Sequence, residues 1–173
     1  SMESAPAPVV TTFAAADPFR RFSEGHARRT EHRPRISHAE RGQRFDLPHH
    51  FNRKSTRSMG RVALMATLTA ERALEDAGLL GDPFVKSGEM GVAYGSSSGS
   101  PSALAEFLRM LTQKRTEGIN ATTYIKMMSH TAPVNIGVYL GVTGRVVTTS
   151  SACPSGSQGI GYAYEAVKSG RQT

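Results

Sequence analysis

A single cysteine, Cys153, stands among 173 residues. That excludes an internal disulfide and any zinc site built on a cysteine cluster, and it fits a reducing compartment such as the cytoplasm. No run of 18 apolar residues occurs, so no membrane-spanning helix is expected. The first thirty residues lack the continuous apolar stretch of a secretory signal. No Gly-Lys-Ser or Gly-Lys-Thr is present, so a Walker-type phosphate loop is not supported. Acids are scarce where basic residues crowd. Residues 20–61 hold twelve of the 21 Lys and Arg but only four acids, a net of +8 in a chain of +7 overall.

Such a field speeds encounter with an anionic partner, whether nucleic acid, an anionic membrane or an acidic protein. A solvated segment charged for solubility explains it as well. Phe22 and Phe45 are not spaced as a base-stacking platform, so nucleic acid is the weaker partner. Five of the six histidines lie in this stretch, His49 and His50 among them, without a second ligand cluster. No metal and no cofactor are expected.

The apolar share of 38% is enough for a folded core. Residues 1–44 read as a basic, irregular segment, in which Val9 and Val10 are suited to start a short strand. Residues 45–173 read as the folded domain. Apolar residues at helical spacing from Val62 to Leu74 predict one helix over 55–77, with Gly78 placed to stop it. Met90–Tyr94 reads as a buried strand and Gly95–Ser100 as a tight loop. Pro101 suits the first turn of a helix running to about 115, and a loop with Gly118 and Asn120 follows. A helix is predicted over 133–140, a strand over 145–150 and a helix over 155–168. Helices alternating with strands predict an α/β fold with a largely parallel sheet.

The segment from Val146 to Gly161 bears most directly on chemistry. A strand enters a turn of small residues and leaves as a helix, with Cys153 at the junction. A helix N-terminus favours a thiolate and offers N–H groups to a thioester oxyanion. Pro154 suits the first helical position. The turn alone is equally compatible with a buried structural cysteine acting as a small hydrophobe.

Thr149-Ser-Ser-Ala-Cys153, then Ser155-Gly156 and a helix ending in Lys168-Ser-Gly170, resembles the active-site region of β-ketoacyl-acyl carrier protein synthases. These are the elongating condensing enzymes of the thiolase superfamily. Ala73-Leu-Glu-Asp-Ala-Gly78 after Arg53, Lys54, Arg57 and Met59 resembles the family's first long helix. Gly91-Val-Ala-Tyr-Gly95 with Gly99-Ser-Pro101 resembles its strand and glycine loop. Leu140-Gly-Val-Thr-Gly144 resembles the turn before its nucleophile strand. The resemblance covers about residues 45–172. Pro154 departs from the Ala or Ser usual after the nucleophile, and Pro8-Val-Val-Thr-Thr12 is at best a remnant of the family's opening strand.

The resemblance implies a thiolase-like layered α/β fold, here its first half, with Cys153 as the acyl-accepting nucleophile. It implies acyl and malonyl thioesters as substrates and an acidic acyl carrier protein as partner. The carrier protein would dock through Arg53, Lys54 and Arg57, for which a solvated helix start is the plain alternative. Met127, Met128, Val134 and Val138 would lie in the part that lines the acyl tunnel near a homodimer interface, although core packing explains them as well. The family's two catalytic histidines and its supporting lysine come from a second half. His130 matches neither histidine motif. The chain by itself is therefore expected to accept an acyl group but not to condense. The competing classes are a coenzyme A-dependent thiolase-type enzyme, a non-catalytic condensing-enzyme half acting as an interaction module, and a nucleic-acid binder.

Overall fold

The computed structural model describes residues 10–14 and 47–172. Three strands, β1 (Val10–Ala14), β2 (Gly91–Gly95) and β3 (Val146–Thr149), form one sheet in the order β1-β2-β3. β2 pairs with β3 in parallel, Val92 opposite Val146 and Gly95 opposite Thr149. β1 pairs with β2 antiparallel. The sheet is therefore mixed among the described residues, where the sequence predicts a largely parallel one. The strand suggested at Val9 and Val10 is present from Val10 on as β1, while Val9 lies outside the described residues. The basic residues from Arg20 to Arg44, and His26, His32 and His38, lie outside the described residues.

Among the described residues there are six α-helices: α1 (Arg53–Thr56), α2 (Arg61–Asp76), α3 (Pro101–Gln113), α4 (Ala121–Met127), α5 (Thr131–Leu140) and α6 (Ser155–Lys168), of which α2, α5 and α6 pack on the sheet. The predicted helix over 55–77 is in fact two. Asn52 caps α1, its side chain accepting from the Ser55 N–H at 3.0 Å. Phe51 and Met59 are both buried, and Phe51 stacks on Tyr139 with ring centroids 4.7 Å apart. Burying both ends of this short stretch bends the chain before α2 begins. Gly60 then caps α2 at a point where a side chain would collide with Ser100. Helical periodicity alone cannot register a break imposed by distant contacts. Gly78 ends this stretch at φ 71, as expected.

The loop expected after α3 contains α4. Its signal was Asn120, whose carboxamide oxygen accepts from the N–H groups of Thr122 and Thr123. That is an N-cap in front of a helix too short to show periodicity. α3 ends at Lys114, an exposed residue at φ 52. An L-residue is strained there. Lys114→Gly is therefore expected to stabilise the fold by about 0.5–1 kcal/mol, read as a higher urea midpoint with unchanged slope.

β2 is buried along its whole length, because both faces of the sheet are covered. Val92 and Tyr94 join a core with Ala63, Ala66, Ala70 and Leu74 of α2 and Ala132 and Ile136 of α5. Gly91, Ala93 and Gly95 alternate onto the other face, where α6 lies. The buried residues of α6 are Ser155, Gly159 and Ala163, spaced four apart. On sequence the apolar side of this helix carries Ile160, Ala163, Tyr164 and Val167, a side expected to be left partly bare in this chain. Ile160 and Tyr164 are exposed accordingly, while Ala163 is buried. Small residues form the contact because the glycines of β2 let the helix approach closely.

Candidate active site

The parallel pairing of β2 and β3 brings their C-terminal ends together. This edge of a parallel α/β sheet is where ligands are usually met. The Gly95–Ser100 loop leaves β2 here, and the Ser96 N–H donates to the Thr149 carbonyl at 3.1 Å. The Ser150–Pro154 turn leaves β3 beside it.

Cys153 is exposed on that turn. The described residues do not bury it, as a structural cysteine acting as a small hydrophobe would require. The residue before it, Ala152, adopts φ 56, a left-handed conformation that no Gly, Asn or Asp is present to ease. Pro154 is the residue that caps α6 rather than its first helical residue, one position earlier than the sequence suggests.

Ser155 fixes this elbow. Its hydroxyl donates to the Ala152 carbonyl at 2.6 Å and accepts from the Ser151 N–H at 2.8 Å. Its own N–H donates to the same Ala152 carbonyl at 3.1 Å. Its carbonyl accepts from the Thr149 hydroxyl at 2.6 Å. Farther out, the Ser151 hydroxyl donates to Gln158 at 2.7 Å. The sequence marks Ser155 as a small residue and as part of the Ser155-Gly156 motif, not as a hydrogen-bonding hub. The two ends of each bond are three to seven positions apart, but nothing in the sequence says that the turn folds back on the helix start.

Gly95 touches the same point from β2. A Cβ there would overlap the Ser155 carbonyl and stand 2.7 Å from the Gly156 nitrogen. Gly159 packs over the backbone of Tyr94 and Gly95. Tyr94 itself is fully buried on the other face. Burial pushes its phenol above the ordinary tyrosine range, with Ser96 offsetting part of the effect.

The other predicted residues lie on different elements. Arg53 and Lys54 on α1 and Arg57 just after it are all exposed. Met127 and Met128 are half-buried at the C-terminal end of α4. Their neighbourhood is fixed by bonds to their carbonyls: the Met127 carbonyl accepts from the Gly99 N–H, and the Met128 carbonyl accepts from the Thr131 hydroxyl. Val134 and Val138 are 51% and 79% exposed on α5. Core packing within the described fold therefore does not account for them, while their neighbour Ile136 is fully buried. The basic stretch and α5 are brought together: the Ser58 hydroxyl donates to the Asn135 carboxamide at 2.7 Å, and Phe51 stacks on Tyr139. His50 pairs with Glu71 at 2.9 Å, a surface contact rather than a ligand set. A cavity of about 380 Å³ between α2, α3 and α4, with Arg61, Glu106, Thr123 and Lys126 in its wall, does not include Cys153. Among the described residues no group of three or more His, Cys, Asp or Glu is placed to hold a metal ion. No described helix is long and apolar enough to cross a membrane.

Residues 12–173 match the family described as Beta-ketoacyl synthase, N-terminal domain. The chain belongs to the beta-ketoacyl synthase family. A crystal structure of a beta-ketoacyl synthase from Burkholderia phymatum STM815 superposes with a TM-score of 0.71 at 48% identity, over 75% of this chain and 32% of that one. The 3-oxoacyl-[acyl-carrier-protein] synthase 1 of Buchnera aphidicola subsp. Baizongia pistaciae (strain Bp) is 30% identical over 122 residues, 70% of this chain and 30% of the relative. Nodulation protein E of Rhizobium meliloti is 31% identical over 126 residues, 71% of this chain and 30% of that protein. The chain thus spans about 30% of the length of these curated relatives, and its α/β fold is the N-terminal part of a beta-ketoacyl synthase.

Proposed function

We propose that this chain carries the acyl-accepting part of a 3-oxoacyl-acyl carrier protein synthase of fatty acid or polyketide synthesis, with Cys153 as nucleophile. The observation that carries the reading is the exposed thiol on a fixed strand-to-helix elbow, at the C-terminal edge of a parallel strand pair. The Cys153 sulfur, as thiolate, attacks the carbonyl of an acyl thioester. The tetrahedral intermediate collapses with loss of the carrier thiolate, which takes up a proton. The acyl group then rests on Cys153. In the second stage a malonyl thioester loses carbon dioxide, and the resulting carbanion attacks the Cys153 thioester. A carbon–carbon bond forms, the C–S bond breaks, and the thiolate returns. Sulfur suits both stages because it is a good nucleophile and a good leaving group. α6 contributes its N-terminal dipole to the sulfur and to the oxyanion.

The ketosynthase portion is assigned to residues 45–173, with β1 reaching the sheet from the N-terminal segment. Met127, Met128, Val134 and Val138 are assigned to the acyl pocket. The outward Val134, Val138, Ile160 and Tyr164 supply apolar surface for a homodimer. The lone cysteine fits a cytoplasmic setting.

Arg53, Lys54 and Arg57 are assigned to docking of an acidic acyl carrier protein. The double charge reversal Arg53→Glu/Lys54→Glu should weaken carrier-protein binding about tenfold at low salt and flatten its salt dependence, because exposed charges act mainly on encounter. Titration calorimetry or surface binding across a salt series reads this. Unchanged affinity at low salt removes the patch from the site. Equal acyl transfer from coenzyme A and carrier thioesters, insensitive to the reversal, moves the reading to a coenzyme A-dependent thiolase-type enzyme.

A further inference from the structure

We infer that Ser155 is a positioning residue for Cys153, a clamp that holds the preceding residue in a left-handed conformation and so sets the direction of the thiol. This rests on the reading of Cys153 as the acyl acceptor. Ala152 at φ 56 is in the left-handed region, where the side chain of an L-residue crowds its own backbone. Its methyl side chain makes no hydrogen bond that would offset this. Ser155 supplies what Ala152 cannot. One hydroxyl donates to the backbone carbonyl of Ala152 and accepts from the backbone N–H of Ser151, spanning the strained residue. Ser155 is 3% exposed, so its hydroxyl is held beneath the turn. Its carbonyl is held by the Thr149 hydroxyl of β3 and closed in by Gly95 of β2. The clamp is thus anchored to two strands of the sheet. Cys153 follows Ala152 directly, so a rotation at Ala152 swings the sulfur away from any fixed substrate direction. Ser155→Ala keeps most of the volume but removes the Ser151 N–H's acceptor and one of the two donors to the Ala152 carbonyl, which then keeps only the Ser155 N–H.

The sole cysteine allows a clean test. Cys153 is alkylated with a trifluoromethyl ketone reagent and followed by fluorine NMR. The parent chain should give one narrow resonance. Ser155→Ala should give two or more resonances, or one broadened by exchange. Acyl transfer to Cys153 from an acyl thioester should fall about tenfold to a hundredfold in this variant, since misplacement of a reacting atom is costly. Alkylation by iodoacetamide, which demands no fixed approach, should change far less. In the Ala152→Gly background, where the left-handed conformation is free of strain, Ser155→Ala should have a much smaller effect on the fluorine spectrum, a coupling that contacting residues show. A folded Ser155→Ala chain with one unshifted narrow resonance overturns the inference. If Ser155→Ala does not fold, recovery of folding in Ser155→Ala/Ala152→Gly supports the clamp, and failure of both overturns it in favour of packing alone. Absence of acyl transfer in the parent chain instead counts against the proposed function, while the fluorine spectra still judge the clamp.

Discussion

Cys153→Ala is expected to abolish acyl transfer to the chain. Incubated with an acyl thioester, the parent protein should gain the mass of one acyl group, and the gain should be lost on treatment with hydroxylamine, which cleaves thioesters. The variant should show no adduct, with its acylation rate lower by a factor on the order of 10⁴ to 10⁶, the scale of losses when catalytic-triad residues are removed. The fold should be indifferent to the change. Cys153 is exposed and takes no part in the bonds that hold the turn, which belong to Ser151, Ala152 and Ser155. A surface substitution of this kind shifts stability by no more than about 0.5 kcal/mol. Intact-mass spectrometry and a thermal melt on the same sample separate chemistry from folding. An acyl adduct that persists in Cys153→Ala places the acceptor elsewhere and sinks the assignment.

Gly95→Ala is expected to damage the fold severely. The added carbon would overlap the Ser155 carbonyl and crowd the Gly156 nitrogen. These are backbone atoms at the start of a helix, so no rotamer change relieves the clash. α6 must move away from β2, which opens the contact that Gly159 makes with Tyr94 and Gly95. It also pulls on the bond from Thr149 to the Ser155 carbonyl. Overpacking against backbone costs about 3 kcal/mol, a large part of the 5–15 kcal/mol by which a domain is typically stable. Denaturant titration should show the loss. Acylation of whatever fraction remains folded should also fall, because Ser155 is displaced. A Gly95→Ala chain as stable as its parent would mean that α6 does not lie against β2 as described.

Several elements were legible without coordinates because their signals are local. The helix predicted over 155–168 matches α6 to the residue. Its limits are set by Pro154 and Gly170, whose backbone preferences are intrinsic. The strand predicted at Met90–Tyr94 matches β2 within one residue, since an apolar run bracketed by glycines has few other ways to fold. The position of Cys153 between a strand and a helix was likewise readable. So was its family resemblance, through four short motifs in order, and the family match over residues 12–173 agrees with it.

Other features depended on contacts between residues far apart in the chain. The division of the predicted helix over 55–77 into α1 and α2 follows from burial of Phe51 against Tyr139 and the fit of Gly60 against Ser100. The buried face of α6 is Ser155, Gly159 and Ala163, not the more hydrophobic side, because Gly91, Ala93 and Gly95 of β2 reward close approach more than bulk. Sequence alone thus determined that a thiol sits at a turn between a strand and a helix. The tertiary structure decided that this thiol is exposed, that the residue before it is left-handed, and that Ser155 is buried beneath the turn. The physical reason is range. Propensity and periodicity act over a few neighbouring residues, whereas the elbow is shaped by two strands that meet only when the sheet forms.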